Sequence, residues 1–286
     1  MTTDWFHNII IAGSTRLHNG IWVANALLGK EFKWSFADEW KEYAKTNQLK
    51  TWDKTAAQRL AQFYIETKTS PQELINTAVL DAGCGNGQLT KAIADAGANI
   101  VGIDLHPYLP SKYISANLQF VQADFDDPPF NKNTFDIIIA NGSIHHTKDT
   151  FHSFRSLANL VKQHGKLYVW VYKKPNGWWK RFLLWWLDGF RFFICRFPPG
   201  MQKFCVQVFT GLFFILSRIR KGQNSKRTKD EIRINVYDAF TPRYRHYHKP
   251  DEVTNWFYQC GFDVPVLSHL HNPIGFGMVA VKKTDH

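Results

Sequence analysis

An open, doubly wound α/β sheet is the fold this sequence predicts, on three observations. From Ala78 onward, short apolar runs alternate with helical patterns, the order that builds a parallel sheet with helices on both faces. The first run, Val79-Leu80-Asp81-Ala82, enters a turn with glycine at every second position, Gly83, Gly85 and Gly87, and a helical pattern opens at Gln88. The second run ends in an acid, Asp104, 17 residues beyond Gly87. Glycines let a backbone turn tightly and come close to a ligand. An acid at the end of the following strand can accept hydrogen bonds from both hydroxyls of a ribose. A nucleoside-bearing ligand is therefore expected at the carboxyl ends of these strands.

Each element has its own justification. Apolar runs place strands over 78–81, 99–104, 118–122, 135–140 and 166–172, and helical spacing places helices over 88–96 and 150–163. Pro250 suits the first turn of a further helix, which runs to Cys260 with Gly261 as its cap. Residues 262–267 and 275–282 then read as a final antiparallel pair. Ahead of the sheet, residues 1–75 read as helical and aromatic-rich, without a strand pattern. The organisation expected is a helical N-terminal cap over 1–75, a core over 76–172, an insertion over 173–247, and the rest of the core over 248–286.

Composition narrows the class. With 44% apolar residues in 286, a sizeable core is assured. The four cysteines, Cys84, Cys195, Cys205 and Cys260, are scattered without a C-x-x-C pair. Neither a zinc site nor a disulfide framework is indicated, and a reduced cytoplasmic setting fits. No secretory signal is expected from the start of the chain, because the apolar run at 9–12 is too short. Net charge is +11, and it is localised: residues 173–250 hold 17 Lys/Arg against 4 Asp/Glu, a net of +13, and the remaining 208 residues sum to −2. That segment calls for an acidic neighbour such as a phospholipid surface, a phosphate-bearing substrate or RNA.

The glycine turn and Asp104, together with Gln122-Ala123-Asp124-Phe125 and the Phe135-Asp136-Ile137-Ile138-Ile139-Ala140 run that ends in Asn141 and His145-His146, resemble class I S-adenosylmethionine-dependent methyltransferases. The match covers residues 79–146 with four features in order. A nicotinamide-binding reading fits less well, because position 88 is Gln where G-x-G-x-x-G needs Gly. The resemblance implies a Rossmann-like, seven-stranded sheet with an antiparallel last strand, a helical N-terminal cap and a helical insertion after strand five. It implies S-adenosylmethionine as cofactor and S-adenosylhomocysteine as product. It assigns Asp81, Gly83, Cys84, Gly85, Gly87, Asp104, Leu105, Asp124, Phe125 and Asn141 to the cofactor site. Asp81 would orient the loop or the methionine amine, Asp104 would clamp the ribose, and Asp124 would hold the adenine amino group. The aromatic stretch 31–43, with Phe32, Trp34, Phe36, Trp40 and Tyr43, has two readings of equal standing: over the cofactor, or against the outside of the sheet.

Methyl transfer is an in-line displacement, so the protein positions the acceptor and, for a hydroxyl or activated carbon, removes a proton. His145, His146 and His246 are the candidate bases, each with an architectural alternative. The segment 237–248 returns from the insertion and is rich in titratable groups. Tyr237, Arg243, Tyr244 and Arg245 are its candidate acceptor ligands, against the alternative of a hydrogen-bonded hinge. His246 and His248 lack a visible third ligand, so no metal is expected.

Within the insertion, Trp178, Trp179, Trp185 and Trp186 crowd with phenylalanines, Pro198-Pro199 breaks the run, and residues 204–217 follow without a charge. Two helices lying in a membrane interface are expected, or a lid or dimer face burying the same aromatics in protein; a span is disfavoured by length. Asp127-Pro128-Pro129-Phe130 has the letters of an amino-methyltransferase signature, yet it precedes the fourth strand where that signature follows it. Nucleic acid is accordingly not the expected partner. The expectation is a methyltransferase for a small, lipidic or lipid-linked acceptor, cytoplasmic and peripheral on the inner face of the membrane beside an anionic surface. The alternatives are an RNA or protein methyltransferase using the basic insertion, and a non-catalytic cofactor-binding scaffold subunit. Oligomeric state is open.

Overall fold

The computed structural model describes residues 4–29, 50–51, 54–219, 228–268, 270 and 274–284. These fall into two compact units, one of 4–29, 54–174 and the described part of 246–284, the other of 50–51, 175–219 and 228–245. The aromatic stretch 31–43 lies outside the described residues.

The first unit begins with α1 (Asp4–Ile9), β1 (Thr15–His18), β2 (Ile21–Ala24), α2 (Ala56–Thr67) and α3 (Pro71–Leu74). It continues through β3 (Ala78–Ala82), α4 (Gln88–Asp95), β4 (Asn99–Asp104), β5 (Leu118–Gln122), β6 (Phe135–Asn141), α5 (Thr150–Leu160) and β7 (Val161–Tyr172). Among the described residues its sheet has nine strands. The central ones are parallel and read as continuous apolar runs because both faces are covered. Val79, Leu80, Ile100, Val101, Leu118, Phe120 and Ile138 are fully buried there. Strand order runs outward from β3 in both directions: β4 lies on one side, in register Val79↔Ile100, and β6 on the other, in register Val79↔Ile137. The order reverses between β3 and β6, and the crevice beyond the carboxyl ends of such a pair is where open α/β sheets bind ligands.

The N-terminal expectation needs correction. Residues 1–75 do not form a purely helical cap: β1 and β2 make an antiparallel hairpin, Thr15↔Ala24 to His18↔Ile21, and β2 joins the sheet parallel to β5. The signal is the Asn19-Gly20 pair, whose φ values of 50° and 80° suit a two-residue hairpin turn. The sheet therefore has two strands more than the seven expected.

At the other edge, the helix expected over 150–163 ends at Leu160, because β-branched Val161 already pairs with Phe135. After the second unit come α9 (Pro250–Gln259), β8 (Val266–Leu267) and β9 (Gly275–Val281). β9 lies antiparallel between β7 and β8, and Gly261 follows α9 at φ 77°.

The second unit holds α6 (Trp178–Ile194), α7 (Pro199–Ile219) and α8 (Lys229–Phe240). The helix pair broken at Pro198-Pro199 is as expected. α8 is an addition to that pair and opens at Lys229. Its start is a capping box, with Thr228 and Glu231 each satisfying the other's backbone N–H. The unit's small core gathers Ile194, Val206, Ile232, Val236, Tyr237 and Phe240, with the Phe209 and Phe240 rings stacked 4.9 Å apart.

Candidate active site

The glycine loop is shaped by its protein neighbours. Gly83 has φ 86°, and a methyl group there would lie 2.3 Å from Ser143 Cβ; at Gly87, φ 68°, it would lie 2.6 Å from Pro110 Cγ and 2.8 Å from Phe120 Cζ. No L side chain fits either place without displacing a neighbour. The loop is pinned to β4 by Gly83 and Cys84, whose N–H groups both donate to the Ile103 carbonyl. Ser143, in the loop after β6, pins it from the other side by donating its hydroxyl to Ala82 O at 2.6 Å.

Asp104 stands at the carboxyl end of β4, its side chain 17% exposed. One oxygen accepts the Gly85 N–H at 3.0 Å, and the other accepts the His106 N–H at 3.3 Å. A carboxylate has about four lone-pair sites, so both oxygens retain capacity for a pair of ribose hydroxyls. That geometry fits the cofactor the glycine loop implies. His106 completes the arrangement and was missed in the sequence. Its buried ring accepts the Tyr108 N–H on Nδ1 at 3.1 Å, which leaves the proton on Nε2 to donate to Gly85 O at 3.2 Å. The imidazole thus braces the loop from beneath. The only sequence signal was its place two residues after the acid, where the Asp side chain caps its amide.

The remaining cofactor candidates surround this centre. Asp81 is buried under the loop and accepts the Thr90 hydroxyl at 2.7 Å. Burial pushes its carboxyl up to about 6, with the Asp104 charge adding to the rise and Thr90 opposing it. Burial also raises the Cys84 thiol well above its ordinary range, with Asp104 and Asp81 in support; Cys84 is a packed thiol, not a thiolate nucleophile. Asp124 follows β5, accepts the Asp126 N–H at 3.1 Å, and is raised by partial burial. The Phe125 ring reaches within 3.4 Å of a Cβ placed on Gly83. Leu105 receives the Gln122 side-chain amide on its carbonyl at 2.9 Å, and Asn141 is exposed at the end of β6.

The same edge carries the histidines. His145 is fully buried, with ring centroids 4.3 Å from His146 and 4.2 Å from Tyr172. His246 is tied alongside: its N–H donates to His145 O at 2.9 Å, and its Nε2 lies 3.0 Å from Thr147 O. Tyr247 stacks on Tyr172 at 5.8 Å. His248 extends the β7 edge, its N–H donating to Tyr172 O. Burial lowers its imidazole; as the neutral ring, Nδ1–H donates to Glu252 and Nε2 accepts from the Thr150 hydroxyl. The structure therefore brings His145, His146 and His246 together with Tyr172 and Tyr247.

The other four candidates belong to the second unit. Tyr237 is buried in that unit's core. Arg245 donates to Ala239 O at 3.1 Å, and the exposed Arg243 guanidinium lies 5.7 Å from the centroid of the Tyr244 ring.

Residues 80–169 match the methyltransferase-domain family. Over 150 residues the chain is 29% identical to an uncharacterized methyltransferase of Synechocystis sp., a stretch covering 51% of this chain and 68% of that one. Over 113 residues it is 32% identical to the ubiquinone biosynthesis O-methyltransferase of Xanthomonas euvesicatoria, covering 37% of this chain and 46% of the relative, so the match spans about half of that protein's length. In fold it is similar to the 1,6-didemethyltoxoflavin-N1-methyltransferase of Burkholderia thailandensis, solved with 1,6-didemethyltoxoflavin and S-adenosylhomocysteine. The TM-score is 0.51 at 14% identity, covering 87% of each chain. Fold and sequence together define a methyltransferase domain. Residues 80–169 are thus matched as a methyltransferase domain, in a chain whose fold is similar to that of a solved methyltransferase.

Proposed function

We propose that this chain methylates a small acceptor, lipidic or lipid-linked, at the carboxyl edge of its sheet. The observation that carries the reading is the interlock at Ser143. It holds the glycine loop with Asp104 and the loop bearing His145 and His146 against one another at the switch point of the strand order.

S-adenosylmethionine bound there supplies a methyl group on a positively charged sulfur, which departs as a neutral thioether. Asp104 fixes the ribose through its spare lone pairs, Asp124 takes the adenine amino group, and Asp81 steadies the loop from below. His146, half-buried at the edge, accepts the proton of an acceptor hydroxyl as the new bond forms. His145, without solvent contact, and His246, engaged at Thr147, hold that ring in place. Within the second unit, the exposed Arg243 guanidinium beside the Tyr244 ring is suited to a phosphate or carboxylate, with Arg245 near it in sequence and Tyr237 as packing. The exposed apolar surface of the second unit supports the lipid-linked class, and with it a cytoplasmic enzyme peripheral on the inner face of the membrane.

Calorimetric titration with S-adenosylmethionine and S-adenosylhomocysteine tests the core of this reading, with micromolar binding of both expected. Incubation with lipid extracts should then yield a product heavier by one methyl group. Binding of neither cofactor form would overturn the assignment.

A further inference from the structure

Helices α6 and α7 carry their polarity inverted. On α6 the inward positions Leu184, Asp188, Arg191 and Ile194 recur at helical spacing, and two of them are an ion pair. Arg191 Nε lies 3.1 Å from Asp188 Oδ1, and Arg191 Nη1 donates to the carbonyls of Pro242 and Arg243. The outward positions are Trp178, Trp179, Phe182, Trp185, Trp186 and Phe190, with Trp178 75% and Trp185 67% exposed. Their rings form a ladder, with centroids 5.7 Å apart for Trp179–Phe182, 6.3 Å for Phe182–Trp185 and 6.4 Å for Trp186–Phe190. α7 follows the same plan. Gln202 and Ser217 spend their hydrogen bonds on local carbonyls and Thr210 is buried, while Phe204, Val208, Leu212, Ile215 and Ile219 are exposed.

Apolar side chains left in water forgo the free energy of burial, and contiguous apolar surface on this scale marks an interaction face. We infer that the outer faces of α6 and α7 dock on an anionic lipid bilayer, with both helices lying in the plane of its interface. The inference rests on the lipid-linked reading above and names the surface that serves it.

Charge selects the occupant. Lys180, Arg181, Arg196, Lys203 and Arg218 border the aromatics, and Asp188, the one carboxylate between positions 173 and 219, is already paired with Arg191. A second copy would set basic residues against their own kind; an anionic lipid surface answers them. Tryptophan settles at the boundary between headgroup and acyl chain. Two guanidinium groups are held over rings, Arg196 on Phe192 at 3.6 Å and Arg218 on Phe214 at 4.8 Å, as side chains reaching from apolar surface to headgroups are. Length favours the plane over a crossing. α7 has 21 residues, yet the uncharged stretch between Lys203 and Arg218 is 14 residues. At 1.5 Å per residue that is about 21 Å, against a hydrocarbon core of about 30 Å.

Flotation of the full chain with phosphatidylglycerol–phosphatidylcholine vesicles, and with phosphatidylcholine alone, tests the docking. The protein should float with the anionic vesicles, and brominated lipid should quench its tryptophan emission. Lys180→Gln and Arg181→Gln should each weaken partitioning about fivefold, and Trp185→Ser with Trp186→Ser should abolish flotation while leaving affinity for S-adenosylhomocysteine unchanged. Retention on the vesicles after alkaline carbonate would overturn the in-plane arrangement. Protein that stays soluble with both vesicles would overturn the docking, as would a dimer in sedimentation that the double tryptophan variant dissolves. Cofactor affinity, read on the same preparation, reports separately whether the methyltransferase reading stands.

Discussion

The sheet of the first unit and the α6–α7 pair of the second use the same kinds of residue in opposite senses. In the sheet, Phe120, Phe135 and Tyr168 are buried; on α6, Phe182, Trp185 and Trp186 are exposed. The helix pair leaves its largest side chains outside the small core that it shares with α8. Apolar content alone does not say what an element packs against; the position of the polar residues does. On α8 the charged residues Lys229 and Asp230 are exposed and Ile232, Val236 and Phe240 are buried; on α6 Asp188 and Arg191 are the sheltered ones.

The contrast can be broken most forcefully in the sheet. Phe120→Ala, at a ring packed against Gly87 and Gly102, should cost about 3–5 kcal/mol in urea unfolding. A small effect there would mean the central strands tolerate a void that close packing forbids. Next in size is Asp104→Ala, which removes the carboxylate from the cofactor edge without touching the buried strands. Two hydrogen bonds to a charged group are lost, so affinity for S-adenosylhomocysteine should fall roughly 100-fold by calorimetry, with far-ultraviolet dichroism unchanged.

Asp81 yields a pH-dependent test. Its folded-state carboxyl titrates at about 6, above the ordinary 3.8, so the folded chain holds a proton the unfolded chain has released between those values. The contribution is fully present below 3.8 and lost as pH rises to about 6, on the order of 3 kcal/mol. Cofactor-free Asp81→Asn should lose that part of the slope in urea unfolding followed across this window; an unchanged slope would place the titration elsewhere. His106→Phe is milder. It deletes the brace on Gly85 O and the acceptor for Tyr108 N–H, and should weaken cofactor binding about fivefold to tenfold. The smallest effect belongs to α6: Trp185→Ser in solution should shift stability by less than about 0.5 kcal/mol, since the ring leaves no cavity behind.

Much of the sheet was legible because its signals are local. A strand, a glycine turn and an acid at the next strand end sit within 26 residues, 79–104, and each reports its own geometry. The β1–β2 hairpin carries an equally local signal, Asn19-Gly20, set in an aromatic-rich stretch whose pattern reads as helical. His106 and Ser143 were not legible as parts of the loop. Their roles arise from partners 21 and 61 residues away, Gly85 and Ala82, and no spacing rule joins them. Tyr237 shows the converse. Ile232, Val236, Tyr237 and Phe240 recur at helical spacing and bury together, a period hidden by the polar aromatics that follow them.

The place of β9 has a consequence for how the chain is made. Gly275–Val281 lies between β7 and β8, with its full ladder against Tyr172–Lys166, and it follows both outward-facing helices in sequence. During synthesis the Trp-rich helices leave the ribosome while β7 is still an unpaired edge, open to strand pairing with other chains. A nascent chain is thus most exposed to aggregation in the interval between Ile219 and Gly275, and a bilayer surface within reach at that moment would shelter the helices before the sheet closes.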